Sequence, residues 1–350
     1  MKEFIIKENE AGQRFDKYLA KLLREAPKSF FYKMLRKKNI TLNGKKATGN
    51  EKLNPGDQVK LFLSDETFQK FSKETKAPRA VCDLDVIYED PDILLVNKPA
   101  GMLSQPDESG QPSLVEYITG YLLERGTLTE NDLATFRPSV CNRLDRNTSG
   151  IVAAGKSLAG LQALSELFRG RTLHKDYLAL AKGVIKNEEH IRGYLHKDQK
   201  YNKVTVYREK KDGALPIETV YTPLGDNGAV TLLKIRLVTG RPHQIRAHLA
   251  SEGHPLMGDY KYGGERYNRI CRERYGLKHQ LLHAYRLEFP QGQEVPDHLS
   301  GKIFFAEPPE LFCHILKEEQ LEESYYENLE YNMGLCKNDH HCDSGGPDRK

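Results

Sequence analysis

The chain has 350 residues, a formal net charge of +4, a hydrophobic content of 38% and a mean hydropathy of −0.64. That length accommodates two domains with appendages, and no apolar run approaches the roughly 20 residues of a membrane-spanning helix. Six cysteines (Cys82, Cys141, Cys271, Cys313, Cys336, Cys342) form no C-x-x-C pair, and the charged start MKEFIIKENEAG lacks a signal-peptide core, so a cytoplasmic protein with reduced thiols and no membrane role is expected.

Residues 1–64 hold 15 Lys and Arg against 7 Asp and Glu, a net of +8. Such a module suits a polyanion gripped through phosphate contacts and counterion release, while the bland alternative is a solvated basic face. Phe15, Tyr18, Leu19, Leu22 and Leu23 recur at helical spacing, and after Pro27 and Ser29 a second set follows, Phe30, Phe31, Met34 and Leu35, which predicts two short helices. Ile40-Thr41-Leu42 then reads as a strand entering an Asn43-Gly44 turn, and Pro55-Gly56-Asp57 precedes the alternating strand Gln58 to Phe62. The basic residues Lys33, Arg36, Lys37 and Lys38 project beside this small core. The run SFFYKMLRKKNITLNGKKA followed by KLNPGDQVKL resembles the α/β RNA-binding module named after ribosomal protein S-four, over residues 12–64. The resemblance implies RNA contacts from those four residues and from Lys45 and Lys46.

Residues 65–84 are polar, contain Pro78 and read as a linker. Val86-Ile87-Tyr88, a turn at Glu89 to Asp92 and Ile93 to Val96 predict a hairpin that Pro99-Ala100-Gly101 ends. Strands at Ile151 to Ala154, Tyr177 to Ala181 and Val230 to Leu237 alternate irregularly with helices at Leu158 to Phe168 and Pro242 to Ala250. That pattern favours an α+β domain over a βαβ succession. The absence of G-x-G-x-x-G and of a G-x-x-x-x-G-K-[ST] loop leaves nothing to support a nucleotide cofactor. Residues 317–350 carry 4 Lys and Arg against 9 Asp and Glu and read as an acidic, mobile tail. Its Cys336, His340, His341 and Cys342 are ligand types too crowded for the usual structural-zinc spacing, so no metal is expected.

Three segments carry chemistry. Asn142-Arg143-Leu144-Asp145-Arg146-Asn147-Thr148-Ser149-Gly150 is a polar turn leading into an apolar strand, which stands Asp145 at the mouth of a sheet. Taken alone, Asp145 reads as a turn residue accepting backbone hydrogen bonds. Gly240-Arg241-Pro242-His243-Gln244-Ile245-Arg246-Ala247-His248 predicts a helix with Pro242 in its first turn. His243 and His248 miss the spacing of two metal ligands, and Arg246 is either a surface charge or a buried arginine seeking a carboxylate. His174-Lys175-Asp176-Tyr177 opens a strand in which Tyr177, by itself, reads as a packed aromatic.

In this order the three segments resemble the RluA-type pseudouridine synthases, with their R-L-D-x-x-T-S-G, K-x-Y and G-R-x-H-Q-I/L-R-x-H motifs. Supporting matches are Asn97-Lys98-Pro99-Ala100-Gly101, His254-Pro255-Leu256-Met257-Gly258-Asp259 and Leu282-His283-Ala284; Asn142 departs from a common His. The resemblance implies a catalytic domain over residues 85–316, a mixed and mostly antiparallel sheet flanked by helices and loops. It further implies isomerisation of uridine to pseudouridine without a cofactor. Asp145 becomes the catalytic carboxylate, Arg246 its charge partner, Tyr177 a group against the target uracil and Arg143 the filler of the vacated base stack. Large-subunit ribosomal RNA is the expected partner, transfer RNA the runner-up, and a monomer the default. Competing readings are a non-catalytic RNA-binding assembly factor and a glycosidase-like hydrolase, for which no second carboxylate is evident.

Overall fold

The computed structural model describes residues 1–72, 79–198, 201, 203–292 and 295–333. The chain divides into two units, Met1–His174 with Arg286–Glu307, and Lys175–Tyr285 with the chain from Pro308.

The first unit begins with the basic module. Strand β1 (Lys2–Ile5) is followed by α1 (Phe15–Leu22), α2 (Lys28–Arg36), β2 (Ile40–Leu42), β3 (Lys45–Lys46) and β4 (Gln58–Leu61), and the sheet runs β1-β4-β2-β3. The helical spacing holds: Phe15, Tyr18, Leu19 and Leu22 of α1 and Phe31, Met34 and Leu35 of α2 form one core with Ile40, Val59 and Leu61. Each such side chain contributes roughly 1.5–3 kcal/mol on burial. The Asn-Gly turn forms as expected, with Asn43 at φ 51° and Gly44 at φ 72°, the left-handed pair that matches the strand twist.

The module is larger than residues 12–64. At its start, β1 pairs antiparallel with β4, Lys2 opposite Leu61. At its end, the expected linker opens with a helix, α3 (Asp65–Phe71), capped by Ser64, whose Oγ accepts from the Thr67 amide at 3.2 Å. Phe71 lies 4.7 Å from Phe30 between ring centroids and Phe68 lies 6.1 Å from Phe4, so α3 belongs to the module's core.

The module is also bonded to the rest of its unit. Lys7 Nζ donates to Asp132 at 2.6 Å, Arg24 donates to the Leu133 and Ala134 carbonyls at 2.8 and 3.0 Å, and Thr135 donates to Glu10. Beyond it, β5 (Val86–Glu89) and β6 (Ile93–Lys98) make the predicted hairpin, its turn stapled by Asp90, which accepts from the Asp92 and Ile93 amides at 2.7 Å. Helix α4 (Leu114–Glu124) and β7 (Ser139–Val140) lead to β8 (Ser149–Gly155), buried along its whole length, and α5 (Leu158–Gly170) follows. Strand β8 pairs antiparallel with β6, Lys98 opposite Gly150.

The second unit is built on β9 (His174–Lys182), β10 (Glu189–Asp198), β11 (Lys203–Tyr207), β12 (Leu215–Asp226) and β13 (Val230–Leu237), ordered β11-β10-β12-β13-β9 with each pairing antiparallel. Helices α6 (Gln244–Ser251) and α7 (Glu265–Tyr275) follow, then β14 (Leu282–Glu288), whose last residues, Arg286–Glu288, belong to the first unit and pair there with β15 (Ile303–Phe305). The expected tail from residue 317 instead continues as helix: α8 (Glu310–Glu318) and α9 (Glu322–Met333) are ordered, and Leu321 and Tyr325 are buried. The α8 end is tied down where Asn227 donates to the Glu319 carbonyl at 3.1 Å. Among the described residues no helix is long and apolar enough to cross a membrane.

Candidate active site

In the first unit the Asp145 loop is a clamped turn. The Thr148 amide donates to the Asp145 carbonyl at 3.0 Å, as a turn residue requires. The residue before Asp145 is pinned by buried Ser104, whose Oγ donates to the Leu144 carbonyl at 2.8 Å and accepts from its amide at 3.1 Å. The residue after it is pinned by Lys98, which is fully buried and donates from Nζ to the carbonyls of Pro99, Met102 and Arg146 at 2.9, 2.9 and 3.0 Å. Three carbonyls match the three N–H bonds of an ammonium. Burial pulls Lys98 down to about 7, against the opposing pull of the Asp145 carboxylate. Arg146 adds a bond from Nε to the Gly101 carbonyl at 3.0 Å, and Gly101 returns one to the Arg146 carbonyl at 2.9 Å.

The backbone on both sides of Asp145 is thus fixed while the residue itself is half-buried, and Arg143, two residues earlier, is exposed. Asn142, the departure from the family pattern, holds the loop against β8. Its amide donates to the Ile151 carbonyl at 3.1 Å and accepts from the Ala153 amide at 2.8 Å.

In the second unit α6 is buried almost all round, from Gln244 to Leu249, which excludes the surface-helix reading of Arg246. Arg246 meets a carboxylate side-on: Nε donates to Asp259 Oδ2 at 2.7 Å and Nη2 to Oδ1 at 3.0 Å, with Asp259 fully buried. Two parallel bonds of this kind fix the guanidinium plane as well as its charge. Asp259 is itself presented by Gly258 at φ 75°, where an added Cβ would stand 2.2 Å from the His279 carbonyl, so only glycine serves there. The aromatic ring of Tyr262 lies 5.3 Å from the Arg246 guanidinium, and its hydroxyl shares a 2.7 Å hydrogen bond with His243 Nδ1.

The helix starts later than the sequence suggests. His243 takes a left-handed backbone, φ 53°, and α6 begins at Gln244, so Pro242 precedes the first turn. Gln244 is buried and satisfied at both ends: its amide donates to the Glu218 carbonyl and Thr219 hydroxyl, each at 3.0 Å, and its oxygen accepts from Thr239 at 2.8 Å. His248 is 1% exposed beside the Thr219 hydroxyl at 3.1 Å, and burial pulls its pKa down to about 4.

Tyr177 is buried on β9, in register with Ile235 of β13. Its neighbour Asp176 pairs with Arg236, Nε to Oδ1 at 2.9 Å.

The structure therefore places Asp145 and Arg143 in the first unit, and Tyr177 and Arg246 in the second. The six basic residues singled out for RNA are all exposed: Lys33 and Arg36 on the last turn of α2, Lys37 and Lys38 just beyond it, and Lys45 and Lys46 forming β3. Among the described residues none of the six has a carboxylate partner within 4.0 Å. Sequence reasoning missed Lys98, Ser104 and Asp259 as structural partners of the site. The signal available was the place of Lys98 in the N-K-P-A-G match and of Asp259 in the M-G-D match; Ser104 lies in neither. No group of three or more His, Cys, Asp or Glu is placed to hold a metal among the described residues, and Cys336, His340, His341 and Cys342 lie outside them.

The exposed, unmatched cations of the N-terminal module suit a polyanionic partner. Known proteins agree. Residues 92–251 match the family model described as RNA pseudouridylate synthase, and residues 13–59 match the S4 domain. The chain is 31% identical over 286 residues to ribosomal large subunit pseudouridine synthase C of Escherichia coli (strain K12), covering 80% of this chain and 86% of that protein. It is 33% identical over 298 residues to an uncharacterized RNA pseudouridine synthase of Mycoplasma pneumoniae, covering 83% and 88%. Among solved structures, human RNA pseudouridylate synthase domain containing 4 aligns with a TM-score of 0.54 at 21% identity, over 67% of this chain and 92% of that one, a likeness of fold. The chain belongs to the RNA pseudouridine synthase family and is an isomerase acting on RNA.

Proposed function

We propose that the chain converts specific uridines of large-subunit ribosomal RNA to pseudouridine, with Asp145 as the catalytic carboxylate. The observation that carries the assignment of Asp145 is the clamp on its loop, Ser104 on Leu144 and Lys98 on Arg146, around a half-buried aspartate. Positioning of this rigidity is worth several kcal/mol to a reaction that needs one oxygen at one carbon. The substrate assignment is supported by the relatives named ribosomal large subunit pseudouridine synthase C in Escherichia coli and in Haemophilus influenzae, the latter 31% identical over 293 residues.

In this reading the target uridine is extruded from its stack, at a few kcal/mol, and exposed Arg143 takes the vacated place. Asp145 acts in breaking the bond between uracil N1 and the ribose anomeric carbon, by attack on that carbon or by assisting elimination. The base turns over, its C5 bonds to the anomeric carbon, and the C5 proton is lost while N1 gains one, so no electrons enter or leave. Arg246, its guanidinium plane fixed by Asp259, is assigned the role of charge partner in the reaction, and Tyr177 is assigned to the uracil, where it relays the proton. Lys33, Arg36, Lys37, Lys38, Lys45 and Lys46 grip phosphates.

The test is a pseudouridine map of total RNA from cells lacking the protein, complemented by the wild-type chain or by Asp145→Asn. Large-subunit sites should vanish in the deletion and return only with the wild type. Restoration by Asp145→Asn would remove the catalytic assignment, and loss confined to transfer RNA would remove the substrate assignment.

A further inference from the structure

Helix α7 is the most arginine-rich element outside the features already used. Its inner face is fixed: Asn268, Cys271 and Tyr275 are buried, and the Asn268 amide donates to the Asp259 carbonyl at 2.7 Å, the residue that orients Arg246. Tyr260 adds a bond from its hydroxyl to the Asn268 carbonyl at 3.0 Å. The outer face carries Arg266, Arg269 and Arg272, all exposed, beside Ile270 at 51% exposure.

Apart from half-buried Arg241, which also lacks a carboxylate partner, the other described arginines of the second unit are paired. Arg192, Arg208, Arg236, Arg246 and Arg274 have carboxylate partners in Glu218, Glu252, Asp176, Asp259 and Glu319. Arg266, Arg269 and Arg272 have none within 4.0 Å among the described residues, although Glu265 and Glu273 are exposed on the same helix. Helix stabilisation does not explain the row. A cation in the last turn, such as Arg272, complements the helix dipole, whereas Arg266 in the first turn opposes it. At i, i+3 and i+6 the three guanidinium stems step along one side of the helix, about 4.5 Å per step, and the planar fork of arginine suits phosphate oxygens better than a lysine would.

We propose that the outer face of α7 is a second RNA-binding surface that holds phosphates with Arg266, Arg269 and Arg272, separate from the cations of the N-terminal module. It rests on the reading of the substrate as structured RNA. Because Asn268 ties the helix to Asp259, this grip acts on the element that carries the Arg246 partner.

The experiment measures affinity of the full chain for an end-labelled RNA stem-loop across a salt series, for wild type, R266Q/R269Q/R272Q and R266K/R269K/R272K. The glutamine variant should lose about tenfold or more in affinity, and its log affinity against log salt should be shallower by about 2 to 3, while its melting temperature is unchanged. The lysine variant should keep most of the slope. An unchanged slope and affinity in the glutamine variant would overturn the proposal and leave the row to a protein partner or to solvent. Pseudouridine formation by the wild type in ribosomal RNA is scored in parallel. Wild-type activity with an unaltered slope in the variant sinks α7 alone, and a reduced slope without ribosomal RNA modification sinks the substrate reading and leaves α7 standing.

Discussion

The N-terminal module and helix α6 handle positive charge in opposite ways. The module leaves Lys33, Arg36, Lys37, Lys38, Lys45 and Lys46 exposed and unmatched, so each keeps its hydration and can exchange it for a phosphate. Helix α6 takes Arg246 out of water and matches it side-on with Asp259, itself fully buried. An exposed ion pair is worth about 0–1 kcal/mol, but breaking a buried one costs about 3–5 kcal/mol because a charge is left without a partner. The contrast separates cations held in reserve for the substrate from a cation committed to the fold, whose direction matters more than its availability.

The largest effect should come from attacking the committed charge. Asp259→Asn leaves Arg246 buried without its carboxylate, and urea unfolding should show a loss of about 3–5 kcal/mol. A loss under 1 kcal/mol would mean that Arg246 relaxes to water, and the contrast with the module would collapse. The reserved charges should behave the other way. Replacing Lys33, Arg36, Lys37, Lys38, Lys45 and Lys46 together by Gln should leave stability within about 0.5 kcal/mol per site, as exposed substitutions do. The same variant should flatten the salt dependence of RNA affinity by about 4 to 5 in log–log slope. A clear drop in melting temperature with RNA binding intact would make these residues structural.

Local chemistry was legible in the sequence, and long-range partnership was not. The Asn43-Gly44 turn, the helical spacing of α1 and α2 and the turn at Asp145 all follow from neighbours in the chain, and the structure has each of them. Helix α3 was read as linker because its two apolar residues, Phe68 and Phe71, gain meaning only from Phe4 and Phe30, far back in sequence. The acidic composition beyond residue 317 likewise hid the burial of Leu321 and Tyr325. Strands β10 and β12 escaped notice since their polar faces, and Pro216 and Pro223 inside β12, blur the alternation. In the site, Arg246 was expected to seek a carboxylate, but its partner Asp259 stands thirteen residues on, and Lys98 meets the Arg146 carbonyl across forty-eight. Spacing rules reach three or four residues along a helix or two along a strand; neither can register such contacts.

The smallest effect concerns a group that is neither reserved nor paired. His248, two residues beyond Arg246 on α6, is buried as a neutral ring beside Thr219, with its pKa drawn down to about 4 from an ordinary 6.5. A histidine with a lowered folded-state pKa takes up a proton in the unfolded chain first, so the unfolded state binds more protons between the two values and stability falls as pH falls through that window. From about pH 7 to about pH 5.5 the loss should be about 1 kcal/mol. Against His248→Gln, which can still bond Thr219 but does not titrate, the wild type should show the steeper decline in melting temperature across that range. Parallel curves would mean that the ring charges inside the fold, and α6 would then tolerate an unmatched cation two residues from the arginine it matches so closely.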